Sequence, residues 1–140
     1  MNTRIKIEFF NGTPGLDLLT HFDSLLVILR DGDDYIFVRN AHRAWEFPGG
    51  TREPGESWEQ TAKRESLEEA GATIKDLALI AHFILPSGQK TLVAKAWVEK
   101  LETPPPGFET TDLLRSTQIP SDVSFGDNVY QDILDFIKAS

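Results

Sequence analysis

The sequence predicts an α/β sandwich built around a mixed sheet. Three observations carry that expectation: short apolar runs of strand length, two segments with helical periodicity, and the interleaving of the two along the chain. At 140 residues, 40% hydrophobic and 26% charged, the composition fits one ordinary globular domain spanning residues 1–140. No internal repeat or composition break divides it.

Each element has a local reason. Arg4–Phe9 alternates charged and apolar residues and reads as a half-buried strand, broken by Asn11-Gly12-Thr13-Pro14-Gly15. Leu25–Leu29 and Tyr35–Val38 read as buried strands joined by a hairpin through Asp31-Gly32-Asp33-Asp34. After Trp45-Glu46-Phe47, the run Pro48-Gly49-Gly50 must turn and lets the backbone approach something closely. A helix follows: Ser57 is an N-cap, Gln60 completes a capping box, and Gly71 is placed as the left-handed terminator. Two strands come next, around Leu77–Leu85 and Thr91–Val98, with Ser87-Gly88-Gln89-Lys90 between them. Thr103-Pro104-Pro105-Pro106-Gly107 predicts an extended loop. The chain closes with an amphipathic helix whose apolar face holds Val129, Ile133, Phe136 and Ile137.

Charge and composition exclude several classes of function. There is no cysteine, so disulfides and thiolate metal sites are ruled out, and three histidines are too few for an imidazole-built zinc site. A net charge of −8 argues against a partner made of long nucleic acid. A small phosphorylated substrate remains compatible if a cation held by carboxylates supplies positive charge. Met1–Phe10 has no continuous apolar stretch, so neither a signal peptide nor a membrane helix is expected there. A cytoplasmic location with no membrane partner is the expectation.

The helix Ser57–Gly71 is charged against its own interest. At 100° per residue, Glu65, Glu68 and Glu69 fall within roughly one 100° sector. Glu65 and Glu69 form a like-charged i,i+4 pair, and all three sit towards the negative end of the helix dipole. Two readings are open on these residues alone. One is a solvated acidic face; the other is a site for a hard divalent cation, magnesium or manganese.

Gly50 to Ala72 reads GTREPGESWEQTAKRESLEEAGA and resembles the Nudix box, G-x5-E-x7-R-E-U-x-E-E-x-G-U, with U a bulky apolar residue. Gly50, Glu56, Arg64, Glu65, Glu68, Glu69 and Gly71 match at the required spacing. At a background of ~7% per position, such a match arises by chance on the order of once in 10^8 windows. Ser66 and Ala72 depart from the pattern at two packing positions.

The resemblance implies a Nudix-type α/β/α sandwich with a central mixed sheet and the catalytic helix following the Gly-Gly turn. It implies Glu65 and Glu69 as main magnesium ligands, with manganese as an alternative, Glu68 as a further partner, and the Gly49 carbonyl completing the shell. Arg64 would orient the glutamates, and Glu56 would hold the loop to the helix. The base that activates water would be Glu65 or an acid on a later loop, with Glu109 the choice and Asp112 behind it. The resemblance further implies hydrolysis of a phosphoanhydride bond in a nucleoside diphosphate derivative.

Within the family the chain is similar to small antimutator-type nucleoside triphosphate pyrophosphohydrolases. That similarity rests on Tyr35–Arg39, Trp45–Gly50, Phe108-Glu109-Thr110, Ile119-Pro120 and Phe125. The expected substrate is a nucleoside triphosphate, oxidised purines included. Pro86, fifteen residues after Gly71, lies near a marker proline of ADP-ribose hydrolases, although Pro86-Ser87-Gly88 equally suits a hairpin turn. NDP-sugars and dinucleoside polyphosphates are further alternatives, and a regulatory nucleotide-binding domain without chemistry is the reading from another class. Arg39, Arg43, Phe47 and Asn128 are the candidate substrate contacts, and the chain is expected as a monomer or homodimer.

Overall fold

The computed structural model describes residues 5–40, 44–103, 110–123 and 128–139. Arg43, Glu109, the 104–107 segment and Phe125 lie outside the described residues. Its elements run in the order β1 (Ile7–Phe9), α1 (Leu16–His21), β2 (Ser24–Asp31), β3 (Asp34–Asn40), β4 (Gly49–Thr51), α2 (Trp58–Ala70), β5 (Ala72–Ile84), β6 (Lys90–Leu101), β7 (Thr110–Ser116) and α3 (Val129–Ala139). The strands form one mixed sheet ordered β1-β5-β6-β2-β3-β7, with β4 attached to β2. β2 and β6 run parallel from Ser24↔Thr91 to Arg30↔Trp97, and the other pairs are antiparallel.

β2 is the spine because both of its faces are apolar. Leu25, Val27 and Leu29 enter one core with Ile36, Val38, Leu92, Ala94 and the α2 residues Ala62 and Ala70. Leu26 and Ile28 enter the other, with Phe37, Phe47, Phe83, Val93 and the α3 residues Val129, Tyr130, Ile133 and Leu134. A period of two on a strand covered on both sides appears in sequence as an unbroken apolar run. The sandwich is therefore helix, sheet, helix, as expected.

The tight hairpin between β2 and β3 places Gly32 at φ 63°, and Asp31 faces Asp34 across it. Pro86 falls in the turn between β5 and β6, where Gly88 N–H donates to the Leu85 carbonyl at 2.8 Å. Its conformation is that of a hairpin residue.

Three elements were not anticipated. α1 is a short helix packed through Leu18 and Leu19 onto the core under α2, and β7 is an outer strand on β3. β5 also begins immediately after Gly71 rather than at Leu77, and bulges at several points against β6. The third element is the Gly-Gly turn itself, which is a strand. β2 is forked on one edge: Arg30 and Asp31 pair with β3, whereas Ser24, Leu25 and Leu26 pair with Thr51, Gly50 and Gly49 of β4. Residues 45–51 fill the fork. Val27 N–H donates to the Pro48 carbonyl at 2.8 Å, while Val38 and Glu46 exchange backbone bonds at 2.7 and 2.9 Å.

Ser66 and Ala72, the two departures from the box, are both fully enclosed at 0% and 1% exposure. The Ser66 hydroxyl has no hydrogen-bond partner among the described residues. A buried hydroxyl without a partner costs stability, and alanine is the better helix former. Ser66→Ala is therefore expected to raise stability by about 1 kcal/mol in urea melts. A fall of that size would show instead that the hydroxyl is satisfied.

Candidate active site

α2 is set by its ends. Ser57 accepts from Gln60 N–H at 3.2 Å, and the Gln60 side chain accepts from Ser57 N–H at 2.8 Å, completing the capping box. Gly71 closes the helix at φ 67°. No basic residue occupies the last turn, so neither the dipole nor a neighbouring turn relieves the glutamates.

Relief comes from Arg64. Its Nε and Nη2 donate to Glu56 Oε2 and Oε1 at 2.7 and 3.0 Å, a two-point ion pair. Nη2 also reaches the Thr51 carbonyl at 2.9 Å, and Nη1 reaches Glu65 at 2.9 Å and Glu68 at 3.3 Å. Glu56 additionally accepts from Glu53 N–H and the Thr61 hydroxyl. The Arg64 bond, the largest influence, and these two donors pull the Glu56 carboxyl down to about 2. The Arg64 guanidinium is in turn held charged more firmly than usual, chiefly by Glu56. Loop, β4 and helix are thereby tied at one side chain.

Glu65 and Glu69 lie under the Gly-Gly strand. Glu69 accepts from Gly49 N–H at 2.7 Å. Burial, opposed by that bond and reinforced by Glu65, Glu46 and Glu68, pushes Glu69 up to about 8. Burial also raises Glu65, against the pull of Arg64. Gly49 is required by close approach to backbone, and Gly50 leaves the Glu65 carboxylate its place. A Cβ on Gly49 would stand 2.3 Å from the Leu25 carbonyl, and one on Gly50 would stand 2.5 Å from the Glu65 carboxylate.

The donor chemistry fits a hard divalent cation. The carboxylates of Glu65 and Glu69 lie against the backbone of Gly49 and Gly50, both are pushed up by burial, and Glu68 shares Arg64 Nη1 with Glu65. Among the described residues no three acids or histidines already close into a cage. Glu65 is engaged by Arg64, and Glu69 by Gly49.

Two expected substrate contacts have partners within the fold. Phe47 is 1% exposed and packs its ring against Phe37 and Tyr130, with ring centroids at 4.4 and 4.9 Å, while also contributing to the lining of the cleft beside the glycines. Asn128 uses its amide on the chain itself. Its Nδ2 donates to the Ile5 carbonyl at 2.9 Å and its Oδ1 accepts from Ile5 N–H at 3.3 Å, tying the start of the chain to α3. Arg39 is stacked 4.3 Å over Trp45 and paired with Asp112 at 2.9 Å, which engages the fallback acid as well. Arg43 and Glu109 lie outside the described residues.

A cleft of about 230 Å³ adjoins the glycines, lined by Ser24, Leu26, Glu46, Gly49, Gln89 and Thr91 among others. None of these polar side chains was singled out from sequence. Ser24 on β2 is far in the chain from Gln89 and Thr91 at the entry to β6, and none of the three carries a local signature. Glu46, two residues before the Pro-Gly-Gly turn, was the one within reach.

The description NUDIX domain is that of the family model matching residues 20–122. YtkD of Bacillus subtilis, assigned as an 8-oxo-dGTP diphosphatase, is 34% identical over 118 residues, covering 82% of this chain and 73% of that protein. An RNA pyrophosphohydrolase of Klebsiella pneumoniae is 37% identical over 57 residues, 41% of this chain and 32% of its own length. Among solved structures, the Bacillus subtilis pyrophosphohydrolase BsRppH superposes with a TM-score of 0.77 at 26% identity, covering 96% of this chain and 91% of that one.

Proposed function

This chain belongs to the Nudix family and is an enzyme acting on pyrophosphate bonds, and from that premise we propose that it hydrolyses nucleoside triphosphates, oxidised purines included, to the monophosphate and pyrophosphate with magnesium. The observation that carries the reading is the placing of the Glu65 and Glu69 carboxylates against Gly50 and Gly49, next to a cleft sized for part of a nucleotide. YtkD, the relative matched over most of the chain, supports the substrate class.

Family members generally use divalent metal ions. Glu65, Glu69, Glu68 and the Gly49 carbonyl would hold the ion, and bound there it would neutralise phosphate charge and acidify water. Arg64 fixes where Glu65 and Glu68 point, and Glu56 fixes Arg64. Phe47 and Tyr130 hold the segment before the glycines rigid, because Phe47 N–H donates to the Tyr130 hydroxyl at 3.2 Å. A carboxylate then takes the proton of the attacking water while the oxygen adds in line with the leaving phosphate. Glu65 and Glu109 are the two candidates.

A second reading has its own support. An RNA pyrophosphohydrolase is among the relatives, and BsRppH covers nearly the whole chain. The 5′-triphosphate end of an RNA presents the same anhydride and was not among the substrates expected from sequence.

The test is product analysis with magnesium on normal and oxidised dNTPs, 5′-triphosphorylated RNA, ADP-ribose, an NDP-sugar and a dinucleoside polyphosphate. Monophosphate plus pyrophosphate released selectively from free triphosphates supports the first reading. Selective turnover of the RNA favours the second, and AMP plus ribose phosphate from ADP-ribose overturns both.

A further inference from the structure

The cleft beside the glycines is smaller than the ~300–1,000 Å³ of pockets that enclose whole ligands. It has room for a base or a sugar, with the phosphates left outside. Gly49, Gly50 and Thr51 line it together with Ser24, Glu46, Phe47, Gln89 and Thr91. Pairing in the sheet fixes how close these come, since Ser24 lies between Thr51 on β4 and Thr91 on β6. A second, open groove lined by Asp23, Thr51, Ser87, Gly88 and Gln89 continues outward. Gln89 and Thr51 border both spaces.

Gln89 is held in place. Its Nε2 donates to the Ser24 hydroxyl at 2.9 Å, and Ser24 is bonded in turn to the buried Thr91 hydroxyl at 2.9 Å. The turn that carries it is anchored to the strand before the cleft. Lys90 N–H donates to the Asp23 carboxylate at 2.7 Å, and Asp23 N–H donates to the Lys90 carbonyl at 2.9 Å. One Nε2 proton is bound to Ser24, and the Gln89 Oε1 atom is an acceptor with no partner among the described residues. A fixed, half-buried acceptor discriminates strongly between a ligand that offers N–H or O–H there and one that does not.

Building on the nucleotide-hydrolase reading, we infer that Gln89 is a specificity-determining residue, whose amide oxygen accepts a hydrogen bond from a donor on the substrate's nucleoside. Guanine nucleotides share N1–H, 2-amino and 3′-hydroxyl donors, so the donor assigned to Oε1 is one that separates one nucleoside from another, and two such donors exist. Oxidation at C8 of a purine turns N7 from an acceptor into an N–H, and a ribose carries a 2′-hydroxyl that deoxyribose lacks. Each gives the same hydrogen bond to Oε1 and a different preference.

The test reads binding and requires no turnover, so it stands apart from the hydrolysis test. Calorimetry gives the affinity of 8-oxo-dGMP, dGMP and GMP for the full chain, for Gln89→Leu and for Gln89→Glu, which keeps an acceptor. The parent chain is expected to prefer either 8-oxo-dGMP or GMP, each with one donor that dGMP lacks, over dGMP. Gln89→Leu is expected to weaken that ligand by about 10- to 100-fold and close the gap, while Gln89→Glu keeps the order of preference. Loss of the 8-oxo-dGMP advantage assigns the base N–H, and loss of the GMP advantage assigns the 2′-hydroxyl. Unchanged affinities in Gln89→Leu, an equal loss for all three ligands, loss of the order in Gln89→Glu, or no monophosphate binding to the parent chain would each overturn the assignment.

Discussion

Glu69→Gln is expected to melt above the parent chain at pH 8 in the absence of metal, and to turn over about 10³-fold more slowly with magnesium. Both effects come from the same buried charge. The folded-state pKa of Glu69 is near 8 against an ordinary value of 4.5, so the folded chain holds a proton that the unfolded chain releases. Below about pH 4.5 both states are protonated and Glu69 contributes nothing. From 4.5 up to about 8 the unfolded state binds fewer protons, and stability falls as pH rises. Gln is neutral throughout and can still accept from Gly49 N–H. The two melting curves should therefore coincide near pH 4 and separate towards pH 8, by roughly 2–4 kcal/mol. Saturating magnesium should reverse the order, because only the parent chain gains binding energy at full strength. Scanning calorimetry between pH 4 and 8, with and without magnesium, reads all of this. Parallel curves at every pH would show that Glu69 is not the strained charge.

Arg64→Lys is expected to cost about 3 kcal/mol of stability and 10- to 100-fold in kcat/KM. Lysine keeps the charge, but one ammonium cannot reproduce the two-point grip on Glu56 together with the bonds to Thr51 and Glu65. The acid limb gives an independent readout. Glu56 is depressed to about 2, so its stabilising contribution is present above about 4.5 and is lost as pH falls towards 2. Without the arginine fork that loss should begin at higher pH. Urea melts from pH 2 to 6 would show it, and a variant with the parent acid limb would remove Arg64 from its place as the tie between loop and helix.

What the sequence made legible was local. The capping box of Ser57 and Gln60, the left-handed Gly71 and the spacing of Glu65, Glu68 and Glu69 all lie within one helix, where neighbours in sequence are neighbours in space. The two-faced burial of β2 was legible for the same reason. The packing of Phe47 and the bonds of Asn128 were not legible because their partners are remote: Tyr130 stands 83 residues from Phe47 and Ile5 stands 123 from Asn128. The Ser24, Gln89 and Thr91 contacts span 65 and 67 residues and depend on the parallel β2–β6 pairing, which no window of sequence displays. Ser24 reads locally as nothing more than the start of a strand.

The forked edge of β2 has a consequence for how the enzyme works between turnovers. Glycine-rich loops that receive phosphates are commonly ordered by the ligand, and the ordering entropy then opposes each binding event. Here Gly49, Gly50 and Thr51 are already paired with Leu26, Leu25 and Ser24 in the central sheet. The conformational cost of placing those backbone groups is met when the chain folds and does not recur with each substrate. Binding energy that would otherwise shape the loop remains for the transition state.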